Sequence, residues 1–170
     1  MAVFILDDDG EASEMNVEHC ADEDRDLQRL LEKNHDLLPG DQIDQDAPRR
    51  WLLIRREMPV QDPDSGGNRW FIDFFFADQF AVPTFVECKR FNDTRARRDV
   101  VAQMFDYAAN GHYYWSREAD FIRHIAESTC GGATELENKL HELDPEVTVE
   151  EYFAKLNQNL EEGKLRLDRK

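Results

Sequence analysis

Trp70-Phe71-Ile72-Asp73-Phe74-Phe75-Phe76 and Thr84-Phe85-Val86-Glu87-Cys88-Lys89 decide how this chain folds. Each is a nearly continuous apolar run of strand length, the pattern of strands covered on both faces of a sheet. Trp51-Leu52-Leu53-Ile54 predicts a strand before them, set apart by the turn-rich stretch 61–68. Upstream, Leu27, Leu30 and Leu31 fall at helical spacing from about Asp22. Asp24 and Asp26 stand in the first turn, where carboxylates favour the helix dipole. That helix is expected to stop near Asn34, ahead of an apolar plug and turn, Leu37-Leu38-Pro39-Gly40.

Downstream, Asn92-Asp93-Thr94 offer N-caps for a helix reaching about Ala109, with Val100, Val101, Met104, Phe105 and Ala108 on its apolar face. Further helices are expected over 117–127, 134–142 and 148–160, the last opened by a Thr148–Glu151 capping box. Strands followed by helices in this order predict an α/β layer architecture. The expected organisation is an acidic flexible tail over 1–21, a core over 22–116 and a helical extension of the same domain over 117–170.

The whole chain carries 37 acidic and 21 basic side chains, a net charge of -16 over 170 residues. Taken alone, that sum argues against a polyanionic partner. Its distribution says otherwise: residues 1–46 hold 15 acids and 3 bases, 47–98 hold 7 and 10, and 99–170 hold 15 and 8. Lys89, Arg90, Arg95, Arg97 and Arg98 cluster within ten positions, opposed only by Asp93. Such a run is either a solvated helix start or a phosphate-holding patch. Cys20, Cys88 and Cys130 are odd in number and lack metal-ligand spacing, so a reducing cytoplasm is expected. No apolar run approaches the roughly 20 residues of a membrane span, and Met1–Leu6 lacks the basic start of a secretory signal.

Three residues break the apolar pattern. Asp73 sits among aromatic and aliphatic neighbours, and Glu87 and Lys89 end an otherwise apolar strand. Burying a carboxylate costs several kcal/mol unless it is paired or holds a metal, on the order given by ion desolvation. One reading is a satisfied Glu87–Lys89 ion pair on an exposed sheet face. The other is two carboxylates on adjacent strands gripping a hard divalent cation beside a lysine, an arrangement suited to Mg²⁺ or Mn²⁺ and a substrate phosphate.

Asp73 followed by Glu87-Cys88-Lys89 has the form D…E-x-K on consecutive strands and resembles the signature of the PD-(D/E)xK nuclease superfamily. Gln103-Met104-Phe105-Asp106-Tyr107 resembles the Q-x-x-x-Y motif of its RecB-like members. The stretches from Asp26-Leu27-Gln28-Arg29 to Pro39-Gly40-Asp41, and from Phe85-Val86-Glu87-Cys88-Lys89 to Gln103, are similar to a bacterial and archaeal branch that includes NucS-like endonucleases. The likeness covers roughly residues 22 to 110 and implies a restriction-endonuclease-like core: helix, three strands, helix, strand.

Residue by residue, it implies Asp73 and Glu87 as metal ligands, with Asp24 in the place of a further acidic ligand from the first helix and Glu23 next to it. Lys89 would polarise the attacking water or the scissile phosphate, supported by Gln103 and Tyr107. Arg90, Arg95, Arg97 and Arg98 would bind the nucleic-acid backbone. The implied activity is Mg²⁺- or Mn²⁺-dependent phosphodiester hydrolysis, endo- or exonucleolytic, with DNA favoured over RNA. The chain stops at Asp168-Arg169-Lys170, so the last core strand is expected to be incomplete, leaving a sheet edge for a second copy or a protein partner. An inactive nuclease-like binding module and an acidic nucleic-acid mimic are the competing functions.

Overall fold

The computed structural model describes residues 3–16, 20–61, 68–89 and 119–169. Strands β1 (Val3–Leu6) and β2 (Ala12–Met15) form a small antiparallel hairpin inside the stretch expected to be a tail. Its turn is tied by the Asp7 carboxylate, which accepts from the Asp9 and Glu11 amides at 3.1 and 2.8 Å, and Gly10 takes φ 81° there. A wide π-type turn over Glu23–Gln28 runs into helix α1 (Arg29–Lys33), then a 3-10 turn (His35–Leu37) and the single-turn helix α2 (Gly40–Ile43). Gly40 is required sterically, since a Cβ there would lie 1.9 Å from the Arg49 carbonyl oxygen. Strands β3 (Trp51–Gln61), β4 (Asn68–Asp78) and β5 (Pro83–Glu87) follow, then helices α3 (Ala119–Cys130), α4 (Ala133–Leu143) and α5 (Val149–Glu161), and strand β6 (Arg166–Arg169). The capping box at Thr148 forms as its sequence predicts. The expected helix between Asn92 and Ala109 lies outside the described residues.

The fold is mixed α/β, with a four-stranded mixed sheet ordered β3-β4-β5-β6. As their apolar runs predict, residues 74–78 and 81–88 are buried throughout, but Phe71, inside the first run, is 53% exposed. The sheet separates two cores. Trp51, Leu53, Phe74, Phe76, Val86 and Cys88 pack with Leu31 and Leu38 of the N-terminal segment. Leu52, Ile54, Phe75, Ala77 and Phe85 pack instead with apolar positions of α3, α4 and α5, among them Ile122, Leu140 and Leu156.

The β3–β4 ribbon changes core partway along. Phe74, paired with Arg56, belongs to the first core, whereas Ile72, paired with Met58, belongs to the second. Glu57 and Asp73 lie between those pairs, and Glu57 adopts φ 53°, a left-handed conformation uncommon for a side-chain-bearing residue. The strand kink thus falls beside Asp73, the carboxylate in the middle of β4. Replacing exposed Glu57 with glycine is expected to stabilise the protein by about 0.5–1 kcal/mol. Roughly 1–3 kcal/mol of left-handed strain is relieved, partly offset by glycine's greater unfolded-state entropy. A lower urea midpoint for Glu57→Gly would show that the kink is unstrained.

The expectation of an incomplete last strand and an open β5 edge is corrected here. Strand β6 runs parallel to β5 in the register Thr84↔Arg166, Phe85↔Leu167, Val86↔Asp168, Glu87↔Arg169. Its anchor is Asp78, fully buried at the end of β4. The Asp78 carboxylate accepts from Arg166 Nη1 at 2.7 Å and from the Phe80 and Val82 amides at 2.9 Å each. Its carbonyl accepts from the Tyr152 hydroxyl at 2.9 Å, and Asn159 Nδ2 donates to the Ala81 carbonyl at 2.8 Å. One turn therefore fastens both α5 and β6. Asp78→Ala is expected to cost about 3–5 kcal/mol by stranding Arg166 and two amides. A loss below about 1 kcal/mol in chemical denaturation would show that Asp78 is not the anchor.

Candidate active site

Antiparallel pairing of β4 with β5, Phe74↔Val86 and Phe75↔Phe85, brings Asp73 beside the end of β5. The Cys88 amide donates to Asp73 Oδ2 at 2.7 Å. Lys89 Nζ lies 3.1 Å from Glu87 Oε1, as expected if the two project from one side of an extended segment. The ion-pair reading is therefore met in its contact but not in its setting, because Glu87 is only 3% exposed. Its second oxygen, Oε2, is buried and has no hydrogen-bond partner among the described residues.

The first helix contributes differently from expectation. Asp24, placed in the ligand set by resemblance, is engaged by the Arg56 guanidinium and lies 3.4 Å from Arg29 Nη2. Arg56 also holds Glu32 Oε2 at 3.0 Å and Gln28 Oε1 at 2.9 Å, binding the helix to β3. Glu23, one position earlier, takes the place beside the site, with Oε2 3.6 Å from Lys89 Nζ. The segment Glu23–Gln28 forms a π-type turn, wider than an α-helical one, and within it Glu23 rather than the Asp24 implied by resemblance faces Lys89. Arg56 carried no sequence signal beyond an unsatisfied charge inside a strand. Gln103 and Tyr107, expected as supporting residues, and Arg90, Arg95, Arg97 and Arg98, expected on the nucleic-acid backbone, lie outside the described residues.

Burial governs the electrostatics. It pushes the Asp73 carboxyl above its usual range, opposed only in part by the Cys88 amide and Lys89. Glu87 is raised by burial first and by the Asp73 charge second, against the pull of Lys89. Burial alone would lower the Lys89 ammonium, but Glu87, Asp73 and Glu23 together outweigh it and raise its pKa, so Lys89 is charged at neutral pH. The Cys88 thiol is pushed up to about 12, chiefly by burial and then by the two carboxylates. It is neither a thiolate ligand nor a nucleophile.

Two half-buried or buried carboxylates, one with an orphaned oxygen, form a donor set of hard oxygens. Among the described residues no three carboxylate, imidazole or thiol groups gather closely enough to enclose a cation by themselves. Magnesium needs less: one or two carboxylates usually suffice, with water and phosphate oxygens completing the octahedron. Asp73 and Glu87 fit that requirement. No helix among the described residues is long and apolar enough to cross a membrane. No protein-family model, curated protein or solved structure matches the chain.

An acid whose folded-state pKa is raised binds its proton more tightly folded than unfolded. Ionisation therefore costs stability, lost as pH rises from the usual carboxylate range through the raised value. Without metal, Glu87→Gln is expected to be more stable than the parent at neutral pH by on the order of 1 kcal/mol. The advantage should vanish below about pH 4, where the unfolded carboxyl is also protonated. Denaturant melts across that window decide it, and a parent protein more stable than Glu87→Gln at pH 7 refutes the assignment.

Proposed function

We propose that this chain is a metal-dependent nuclease of the PD-(D/E)xK kind, hydrolysing phosphodiester bonds, of DNA in preference to RNA. In this reading the four-stranded sheet with its N-terminal helix is a restriction-endonuclease-like core, and the protein works in the cytoplasm. The observation that carries it is the buried Glu87 Oε2, without a hydrogen-bond partner among the described residues, beside Asp73 and with a charged lysine 3.1 Å from the other Glu87 oxygen. A buried carboxylate oxygen without a donor is costly, and a bound cation would offset that cost. The element order also supports it, since β6 supplies the strand that the family core needs.

Asp73 and Glu87 would hold Mg²⁺ or Mn²⁺, which when bound lowers the pKa of a coordinated water and offsets phosphate charge. The Cys88 amide fixes the Asp73 carboxylate in place, so its donor oxygens are positioned before any ligand arrives. Lys89 presents a permanent positive charge at the mouth of the site, with its side chain 20% exposed and within reach of a phosphate in solvent. There it stabilises the negative charge that grows on the phosphoryl oxygens as water attacks and the leaving oxygen departs. Glu23 balances Lys89 from the helix side and limits how far the ammonium can swing.

Purified protein incubated with labelled single- and double-stranded DNA and RNA in Mg²⁺ or Mn²⁺ tests the reading. Lys89→Ala is expected to lower cleavage by roughly 10²–10³-fold, the usual cost of removing one charge-stabilising donor. Asp73→Asn should abolish calorimetric Mn²⁺ binding with the fold retained. Cleavage by Lys89→Ala at the parent rate sinks the assignment.

A further inference from the structure

Large apolar side chains exposed to solvent gather in two places. Five of the eleven among the described residues, Val3, Phe4, Ile5, Leu6 and Met15, lie on the β1–β2 hairpin. Two more, Ile43 and Leu167, flank a cavity of about 220 Å³ beside β6, walled also by Pro39, Trp51 and Thr84. Val3–Leu6 is an unbroken apolar run on a strand, the pattern of a strand covered on both faces. Here all four residues are exposed. Strand β2 occupies one edge of β1, and the other edge has no strand partner among the described residues. A two-stranded hairpin by itself is marginal in water.

Among the described residues the sheet has two end strands, and they are not equivalent. Strand β3 carries Pro59, which has no N–H to donate, and the left-handed kink at Glu57; both features blunt an edge against pairing. Strand β6 has neither proline nor kink. Charge does not separate the two strands themselves, since β3 and β6 each carry two bases and one acid, but the C-terminal stretch complements the hairpin. Residues 3–16 contain five acids and no base, whereas residues 164–170 contain four bases and one acid. Arg166 is committed to buried Asp78, which leaves three more cations in that stretch.

We infer that the acidic, apolar hairpin of one copy of this chain adds to the β6 edge of a second copy. Strand β1 lies alongside β6, and its apolar side chains cover Ile43, Leu167 and the cavity between them. Strand addition supplies backbone hydrogen bonds, and the cavity and opposite charges supply selectivity. The exchange is reciprocal, so it closes at two copies around a two-fold axis and leaves neither hairpin uncovered. The inference does not depend on the nuclease reading.

Sedimentation equilibrium of the full chain, at concentrations up to about 100 µM so that micromolar affinities register, tests it. The parent protein is expected to be a dimer. Phe4→Asp/Ile5→Asp, on the exposed hairpin, and Leu167→Asp, on the exposed β6 edge, should each weaken dimerisation at least tenfold with unchanged far-ultraviolet circular dichroism. Backbone amide exchange over residues 3–6 should be slow in the dimer and fast in both variants. A monomeric parent overturns the inference, and so does a dimer indifferent to either set of substitutions. Slow exchange of residues 3–6 in a monomer also overturns it, because the hairpin would then be docked within its own chain. If either variant loses its fold, the parent alone decides: exchange over residues 3–6 must quicken on dilution below the dimer range, and exchange that ignores dilution overturns the inference.

Discussion

Burial of the second half of β4 and of β5 on both faces is the constraint from which the rest of this structure follows. A strand with a solvated face can carry polar residues freely. These two cannot, so each polar group in them needs a protein partner or a ligand. Asp78 is satisfied by two amides and Arg166, and in being satisfied it fastens the last strand. Asp73 accepts one amide. Glu87 keeps one oxygen for Lys89 and has none of the described residues for the other. The series runs from a structural carboxylate to one that the described residues leave incomplete.

That gradient follows from position along the ribbon. Asp78 sits where α5 and β6 converge, so donors are abundant. Asp73 sits where the ribbon passes from one core to the other, beside the kink at Glu57, and neither core closes over it fully. The end of β5, beside the middle of β4, lies near the start of the first helix, from which Glu23 reaches Lys89. Arg56 secures this approach by binding Asp24, Gln28 and Glu32 at once. The raised carboxyl groups are the energetic trace of the arrangement: stability is given up to keep two anions in a dry place.

The strands buried on both faces were legible because unbroken apolar runs leave few alternatives, and Asp73, Glu87 and Lys89 stood out as exceptions within them. Strand β3 extends past Ile54 to Gln61 because pairing with β4 compensates for Arg55, Arg56 and Glu57, whose charges suggest a loop. Strand β6 was hidden for a related reason. Arg-Leu-Asp-Arg is held by parallel pairing and by Asp78, a residue 88 positions earlier than Arg166, and no local pattern encodes that contact. The hairpin did have a signal: Val3–Leu6 followed by Asp9-Gly10, a turn dipeptide, was outweighed by the density of acids. Those acids include the one that ties the turn. Glu23 rather than Asp24 faces Lys89 within a π-type turn, which spacing alone does not show.

The net charge of -16 takes on a different meaning once the site is known. Asp73, Glu87 and Glu23 gather around Lys89, so acidic groups outnumber cations at the described site. A bare phosphate diester would be repelled by that excess at close range, where a partly dry setting weakens screening. On the nuclease reading, a divalent cation would offset these acids, and Lys89 would then be free to act on the substrate rather than to compensate its neighbours. On that reading the order of binding follows from charge, cation first and nucleic acid second, and an acidic protein that handles a polyanion would be no contradiction, because the acids at the site would serve the cation.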